Sequence, residues 1–145
     1  MTRNNSCSFK IDVGDDKEFK RVTIKGTPTP IAYVRFYGFV KGTIGANKVQ
    51  GVRFIAYGPL AELIYAHIQP GSRVFVISHL QIRRDDKGNI FNEFVVEDIE
   101  YLRNINWDKG KEKMKELIAN GELRLPSQDF LDDYPSERDG ESQEE

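Results

Sequence analysis

Alternating apolar and polar positions predict that this chain is built mainly of β-strands. Residues 9–13 alternate regularly, which is typical of a strand with one buried face, and the Gly-Asp-Asp triplet at 14–16 is expected to end it. A less regular alternation follows over residues 19–24. The glycine and two prolines within residues 26–30 then predict a turn.

Two central stretches are predicted to be strands whose two faces differ in chemistry. Residues 31–41 are dense in β-branched and aromatic residues, and residues 49–58 resume the pattern after a turn. One face of each is apolar and is expected to be core, because successive side chains of a strand point to opposite sides. The other faces mix rings with cations: Tyr33, Arg35, Tyr37, Phe39 and Lys41 on the first strand, and Arg53, Ile55 and Tyr57 on the second.

The apolar period then changes from two to between three and four over residues 60–68, which predicts a short helix that begins near Pro59. Residues 73–80 and 90–102 are expected to be strands joined by a hairpin loop at 85–89. The predicted fold is therefore all-β: a five-stranded antiparallel OB-fold barrel with one helix after the third strand.

Beyond the barrel, the sequence predicts a short C-terminal helix over residues 108–119, capped by Asp108 and ended by Asn120-Gly121. The expected organisation is an OB-fold domain over residues 1–104, a helical extension over 105–126 and an acidic, disordered tail over 127–145.

Charge separates the tail from the rest of the chain. The net charge is −2, but residues 127–145 hold eight acidic residues and one arginine, which leaves a body with 20 basic and 15 acidic residues. A basic body suits a polyanion, whereas an acidic tail suits a competitor of that polyanion or a protein partner.

Few residues are available for catalysis or metal binding. Cys7 is the only cysteine, so an intramolecular disulfide and a thiolate zinc site are not expected. His67 and His79 are the only histidines, and no phosphate loop or nucleophile motif is present. We expect no enzymatic activity, no cofactor and no metal. No apolar run is long enough for a membrane span or a signal peptide, so no membrane partner is expected and a cytoplasmic location is predicted.

An ordered series of features over residues 51–102 resembles the bacterial single-stranded DNA-binding protein (SSB) family. It consists of Arg53, Tyr57-Gly58, Leu60-Ala61-Glu62, Pro70-Gly71-Ser72-Arg73-Val74 and the closing stretch from Glu93 to Leu102, with a weaker echo at residues 16–21. The chain departs from the family where family members carry tryptophans, because it has Gly51 or Val52 and Asp85 at those positions. The departure implies a reduced stacking platform.

A binder of single strands needs rings that stack on bases and cations along the phosphates. Tyr37 and Tyr57 are the predicted stacking residues, whereas Tyr33 and Phe39 are assigned to sheet packing. The resemblance adds weight to Arg53 and Tyr57, since the family contacts DNA at the matching positions. The predicted phosphate contacts are Arg35, Lys41, Lys48, Arg53, Arg73, Arg83 and Arg84.

The acidic tail contains apolar residues set among carboxylates. This resembles the acidic tip through which bacterial SSB proteins recruit replication and repair enzymes, although here ten residues follow Pro135. A tail that only solubilises the protein is the alternative. The predicted partner-binding residues are Phe130, Leu131, Asp132, Asp133, Tyr134 and Pro135.

The resulting functional prediction is binding and protection of single-stranded DNA, without sequence preference, during replication, recombination or repair. The resemblance also implies a homo-oligomer, either a tetramer or a dimer. Binding to DNA would make the cytoplasmic protein nucleoid-associated. Two alternatives stay open: an OB-fold adaptor of a replication or primosome complex that acts through protein contacts, and an RNA-binding OB module.

Overall fold

A computed structural model describes residues 5–26, 28–41, 49–124 and 130–135. In chain order the elements are β1 (Cys7–Val22), β2 (Ile31–Lys41), β3 (Val49–Tyr57), α1 (Pro59–His67), β4 (Arg73–Arg84), β5 (Ile90–Arg103) and α2 (Trp107–Ala119).

The five strands close into a barrel in the order β1-β2-β3-β5-β4. With α1 inserted between β3 and β4, this is an OB-fold, so the predicted fold class is confirmed. One pairing differs from the antiparallel sheet that we expected: β3 and β5 run parallel and meet at only two positions, Phe54 with Phe94 and Ile55 with Val95. This short parallel contact closes the barrel.

Two predicted boundaries were wrong. β1 does not end at residues 14–16 but continues to Val22, with a register irregularity between Val13 and Lys17. Both halves of this strand have partners, since β4 pairs with its first half and β2 with its second, and a bulge lets one strand bend between them. The C-terminal helix begins at Trp107, and its cap is Asn106, whose side chain accepts a hydrogen bond from the Lys109 N–H.

The core fills the barrel with side chains from its inward strand faces. The rings of Phe36 and Phe54 stack with their centroids 5.4 Å apart, and both residues are fully buried. α1 contributes Ala61 and Ile64 to the same cluster, so the helix closes one end of the barrel. No helix within the described ranges is long and apolar enough to cross a bilayer.

Gly38 allows β1 and β2 to approach each other closely in this core. A Cβ built on Gly38 would lie 2.9 Å from the Cβ of Ile11, which is 1% exposed and has no open space to move into. We expect Gly38→Ala to lower the free energy of unfolding by about 1–3 kcal/mol through overpacking. Urea denaturation would measure the loss. Gly51→Ala is the matched control, because its nearest neighbour would be 3.4 Å away, and an equal loss in both variants would contradict the prediction.

Candidate nucleic-acid interface

The outward faces of β2 and β3 bring the predicted tyrosines and arginines together. Tyr37 is the direct cross-strand neighbour of Arg53, and Tyr33 is the neighbour of Tyr57. The guanidinium of Arg35 lies 5.4 Å from the centre of the Tyr37 ring, which is a cation–π distance. Tyr37 and Tyr57 are both partly exposed on this face.

The hairpin of β4 and β5 extends this face with an aromatic residue that the sequence analysis missed. Phe91 lies between two guanidinium groups, at 5.6 Å from that of Arg53 and 5.0 Å from that of Arg83. Its position is directly opposite Arg83 in the β4–β5 ladder. Alternation along residues 90–102 was a usable signal, because it places Phe91 on the same face as Glu93, but alternation within one strand does not reveal the cations of its neighbours.

A buried carboxylate lies beneath these two arginines. Glu93 is 1% exposed, and its Oε1 accepts a hydrogen bond of 2.9 Å from Nε of Arg83. Its Oε2 lies 3.3 Å from Nε of Arg53. The hydrogen bond to Glu93 raises the pKa of Arg83 above the ordinary value for arginine. One carboxylate therefore positions two guanidinium groups beside the Phe91 ring, and the three charged groups together keep one positive charge.

Tyr57 packs beside a second tyrosine on this face. The rings of Tyr33 and Tyr57 lie 5.5 Å apart at a tilt. Burial raises the pKa of the Tyr57 hydroxyl, and neighbouring Tyr33 and Glu93 raise it further while Arg83 acts in the opposite direction. Tyr33 is only 9% exposed, in agreement with its assignment to sheet packing, whereas the ring of Tyr57 keeps an exposed part that a base could cover.

Arg35 combines an ion pair with an unpaired donor. Its Nη2 donates a hydrogen bond of 3.2 Å to the exposed carboxylate of Asp16. Its Nε is buried and has no hydrogen-bond partner among the described residues. An exposed ion pair of this kind contributes little stability, so a phosphate could replace Asp16 at small cost.

Among the remaining predicted cations, the two that the structure describes, Arg73 and Arg84, do not join this face. Arg73 forms a two-bond ion pair with Asp12, which raises the pKa of Arg73, and it lies at the opposite end of β4 from Arg83, about 33 Å away along the strand. Arg84 is exposed beside the hairpin loop. The side chain of Lys41 and the whole of Lys48 lie outside the described residues. The cluster of Arg35, Tyr37, Arg53, Tyr57, Arg83, Phe91 and Glu93 is called the β2–β3 face below.

A second aromatic cluster lies at the helical end of the molecule. The buried imidazole of His67 stacks on Tyr101, with ring centroids 4.1 Å apart and an angle of 11° between the planes. Trp107 meets both rings edge-on. Above them, α2 passes at Gly110, where a Cβ would collide with the imidazole. These four residues form what is called the His67 pocket below.

The predicted partner-binding segment contacts this pocket. Tyr134 lies edge-on to Trp107, with ring centroids 5.5 Å apart, and its hydroxyl is hydrogen-bonded to Nε2 of His67. Phe130 packs against Tyr134 at 5.9 Å. Leu131 and Pro135 are partly buried, whereas Asp132 and Asp133 are exposed. Residues 130–135 are therefore in contact with the body through a tyrosine.

The hydrogen-bond partners of His67 define which of its ring nitrogens carries the hydrogen. Its Nδ1 lies 2.6 Å from the carbonyl oxygen of Leu63, which only accepts, so Nδ1 carries the hydrogen. Nε2 is then the acceptor for the Tyr134 hydroxyl. Burial lowers the pKa of His67 to about 4, partly opposed by the bond to Leu63. Burial also raises the pKa of Tyr134.

The lowered pKa of His67 predicts a loss of stability in mild acid. An unfolded histidine takes up a proton below about pH 6.5, whereas folded His67 stays neutral down to about pH 4. Its contribution is therefore complete above the unfolded pKa and is lost as the pH falls toward the folded one. Near pH 5 the expected cost is about 2 kcal/mol.

Urea unfolding of wild type and His67→Phe at about pH 7 and about pH 5 measures this contribution. Phenylalanine keeps a ring in the stack but does not titrate. The carboxylates titrate equally in both proteins. The difference between the two proteins in how much the free energy of unfolding changes with pH is therefore the contribution of His67. Identical pH responses would contradict the prediction.

No family model matches this chain, and a search of curated proteins finds no match. Among solved structures the chain is similar to the SSB domain of a protein from Synechococcus sp.. The TM-score is 0.54 at 12% sequence identity, and the similarity covers 70% of this chain and 99% of that one. At this identity the likeness shows the fold alone, which is an OB-fold barrel.

Proposed function

We propose that the protein binds single-stranded DNA without reading its sequence, and that the β2–β3 face is the binding surface. The strand would run across Tyr37 and Tyr57 toward Phe91 on the hairpin. Bases would stack on these rings while the phosphates meet Arg35, Arg53 and Arg83.

The observation that carries the proposal is that ring and guanidinium alternate on one continuous outward surface. Tyr37 lies between Arg35 and Arg53, and Phe91 lies between Arg53 and Arg83. A single strand presents base faces and phosphates together, so it is matched by such an alternation. Arginine contacts to phosphates and ring stacking on bases do not depend on which base is present. This implies binding without sequence preference.

Salt dependence tests this proposal directly. Three arginines that neutralise three phosphates should make the logarithm of affinity fall with the logarithm of salt with a slope of about −2, at roughly −0.7 per phosphate. Fluorescence anisotropy of a labelled oligo-dT over a salt series measures the slope. Titration of a matched oligo-U in the same buffers tests the RNA-binding alternative. A slope near zero with both oligomers would overturn the proposal.

Partner recruitment and self-assembly complete the proposed role in replication, recombination or repair. The acidic tail, with Phe130–Pro135 at its start, would recruit proteins of those processes or compete with DNA for the arginines. Ile82 and Ile90 are 67% and 60% exposed on the hairpin, a large apolar exposure for a lone chain, and they support assembly into a homo-oligomer. Light scattering with and without oligo-dT would report the subunit number.

An OB-fold adaptor is the second candidate, and one feature of the structure favours it. Four of the arginines predicted to meet phosphate already have carboxylate partners: Arg35 with Asp16, Arg53 and Arg83 with Glu93, and Arg73 with Asp12. Such pairing reduces the positive potential offered to DNA. An adaptor would bind oligo-dT weakly, and substitutions on the β2–β3 face would leave that weak affinity unchanged.

A further inference from the structure

We propose that the His67 pocket is a binding site for a tyrosine carried by an acidic segment, and that Tyr134 of the same chain is its occupant. This inference concerns a surface other than the β2–β3 face. Only its consequence for partner recruitment rests on the proposed function.

The pocket is built to hold an aromatic side chain with a hydroxyl. His67 and Tyr101 form its stacked wall, and the Trp107 ring stands nearly perpendicular to the incoming ring. Nδ1 of His67 donates its hydrogen to the carbonyl oxygen of Leu63, so Nε2 is an acceptor. A buried acceptor is costly to leave unpaired, and a tyrosine hydroxyl supplies the donor that phenylalanine or leucine lacks.

The surroundings suit an acidic sequence around that tyrosine. Gly110, which roofs the pocket, is flanked along α2 by Lys109 and Lys111, with Asp108 and Glu112 one residue further out. The residues before Tyr134 are Asp132 and Asp133, both exposed, so their charges stay in water while the ring is buried. With four lysines and three acidic residues, α2 carries a net charge of +1, so charge attraction adds only a small, salt-sensitive amount to docking.

The pocket is separate from the proposed DNA surface. Tyr101 lies ten residues along β5 from Phe91, which corresponds to about 33 Å. A docked Tyr134 therefore leaves the β2–β3 face open. It does hide the aromatic part of Phe130–Pro135, so a protein that reads this segment must first draw Tyr134 out of the pocket.

Trp107 is the only tryptophan of the chain, and its fluorescence is a direct reporter of the occupant. Full-length Tyr134→Ala has a vacated pocket and serves as the receptor. We expect its Trp107 to be more accessible to acrylamide than in wild type. A synthetic peptide of residues 127–139 should restore the wild-type signal saturably, whereas the same peptide with Tyr134→Ala should not.

Wild-type protein provides the competition measurement. Its own Tyr134 competes for the pocket at an effective concentration of about millimolar. The apparent affinity of the peptide for wild type should therefore be lower than for Tyr134→Ala by on the order of tenfold or more. Tyr134→Phe, which keeps the ring but lacks the donor to His67, should give an accessibility between those of wild type and Tyr134→Ala. Circular dichroism establishes that all the variants are folded.

Three outcomes would overturn the proposal. The first is equal acrylamide access in wild type and Tyr134→Ala, and the second is an equal response to both peptides. The third is a wild-type signal that decays on dilution, which would assign the occupant to another copy of the chain. None of these measurements involves DNA, so failure of the proposed DNA binding and failure of this site are distinguishable.

Discussion

Replacing both stacking tyrosines, in Tyr37→Ala/Tyr57→Ala, is expected to weaken oligo-dT binding at least thirtyfold. Each base stacked on an aromatic ring contributes about 1–3 kcal/mol, so two rings account for 2 kcal/mol or more. Both side chains are partly exposed on the outward face, and their removal does not open the barrel core. Anisotropy titrations with labelled oligo-dT at fixed salt would measure the loss.

Tyr65→Ala is the matched control for the single Tyr57→Ala change. Tyr65 is 40% exposed, but it lies on α1 and stacks on Phe19, away from the β2–β3 face. It should bind oligo-dT as wild type does. If Tyr65→Ala and Tyr57→Ala lose affinity equally, or if the double variant binds normally, the rings of β2 and β3 are not the stacking platform.

The second large effect concerns stability. Replacing both arginines that pair with Glu93, in Arg53→Met/Arg83→Met, should lower the free energy of unfolding by about 3 kcal/mol. The carboxylate is 1% exposed, and removal of its partners leaves a buried charge without a counter-ion. Urea denaturation near neutral pH would measure the change.

Adding Glu93→Met to the double variant is the decisive control. Removing all three charges leaves a wholly apolar replacement, which is often as stable as the original ion pairs, so most of the loss should be recovered. A triple variant as unstable as the double variant would show that arginine packing, and not the stranded carboxylate, supplies the stability. Arginine substitutions on this face are expected to change stability as well as binding. DNA binding is therefore better tested with tyrosine variants.

The position of Glu93 has two opposite effects on DNA binding at the proposed site. Two arginines that share one carboxylate offer less positive charge than two free ones, but they are held in place on either side of the Phe91 ring. Preorganised cations lose little side-chain entropy on binding. We expect a modest salt slope with affinity carried mainly by stacking, which is consistent with a chain that lacks tryptophan on this surface.

Much of the fold could be predicted from local patterns. The period of two over residues 31–41, the change of period at residues 60–68 and the turn residues at 85–89 each reflect short-range geometry, and all three elements are present. The end of β1 was misplaced, because Gly14-Asp15-Asp16 reads locally as a turn. Pairing of β1 with both β2 and β4 overrides that preference.

By itself, the sequence determined the barrel, its helix and which face of β2 and β3 carries the tyrosines and arginines, since alternation depends only on the backbone of one strand. Only the tertiary structure decided that Glu93 serves two arginines, that Phe91 joins their face and that Tyr134 meets His67. These contacts join residues 10 to 67 positions apart in sequence or on strands that meet only when the barrel closes. No local pattern encodes such distances, because they follow from how the whole chain packs.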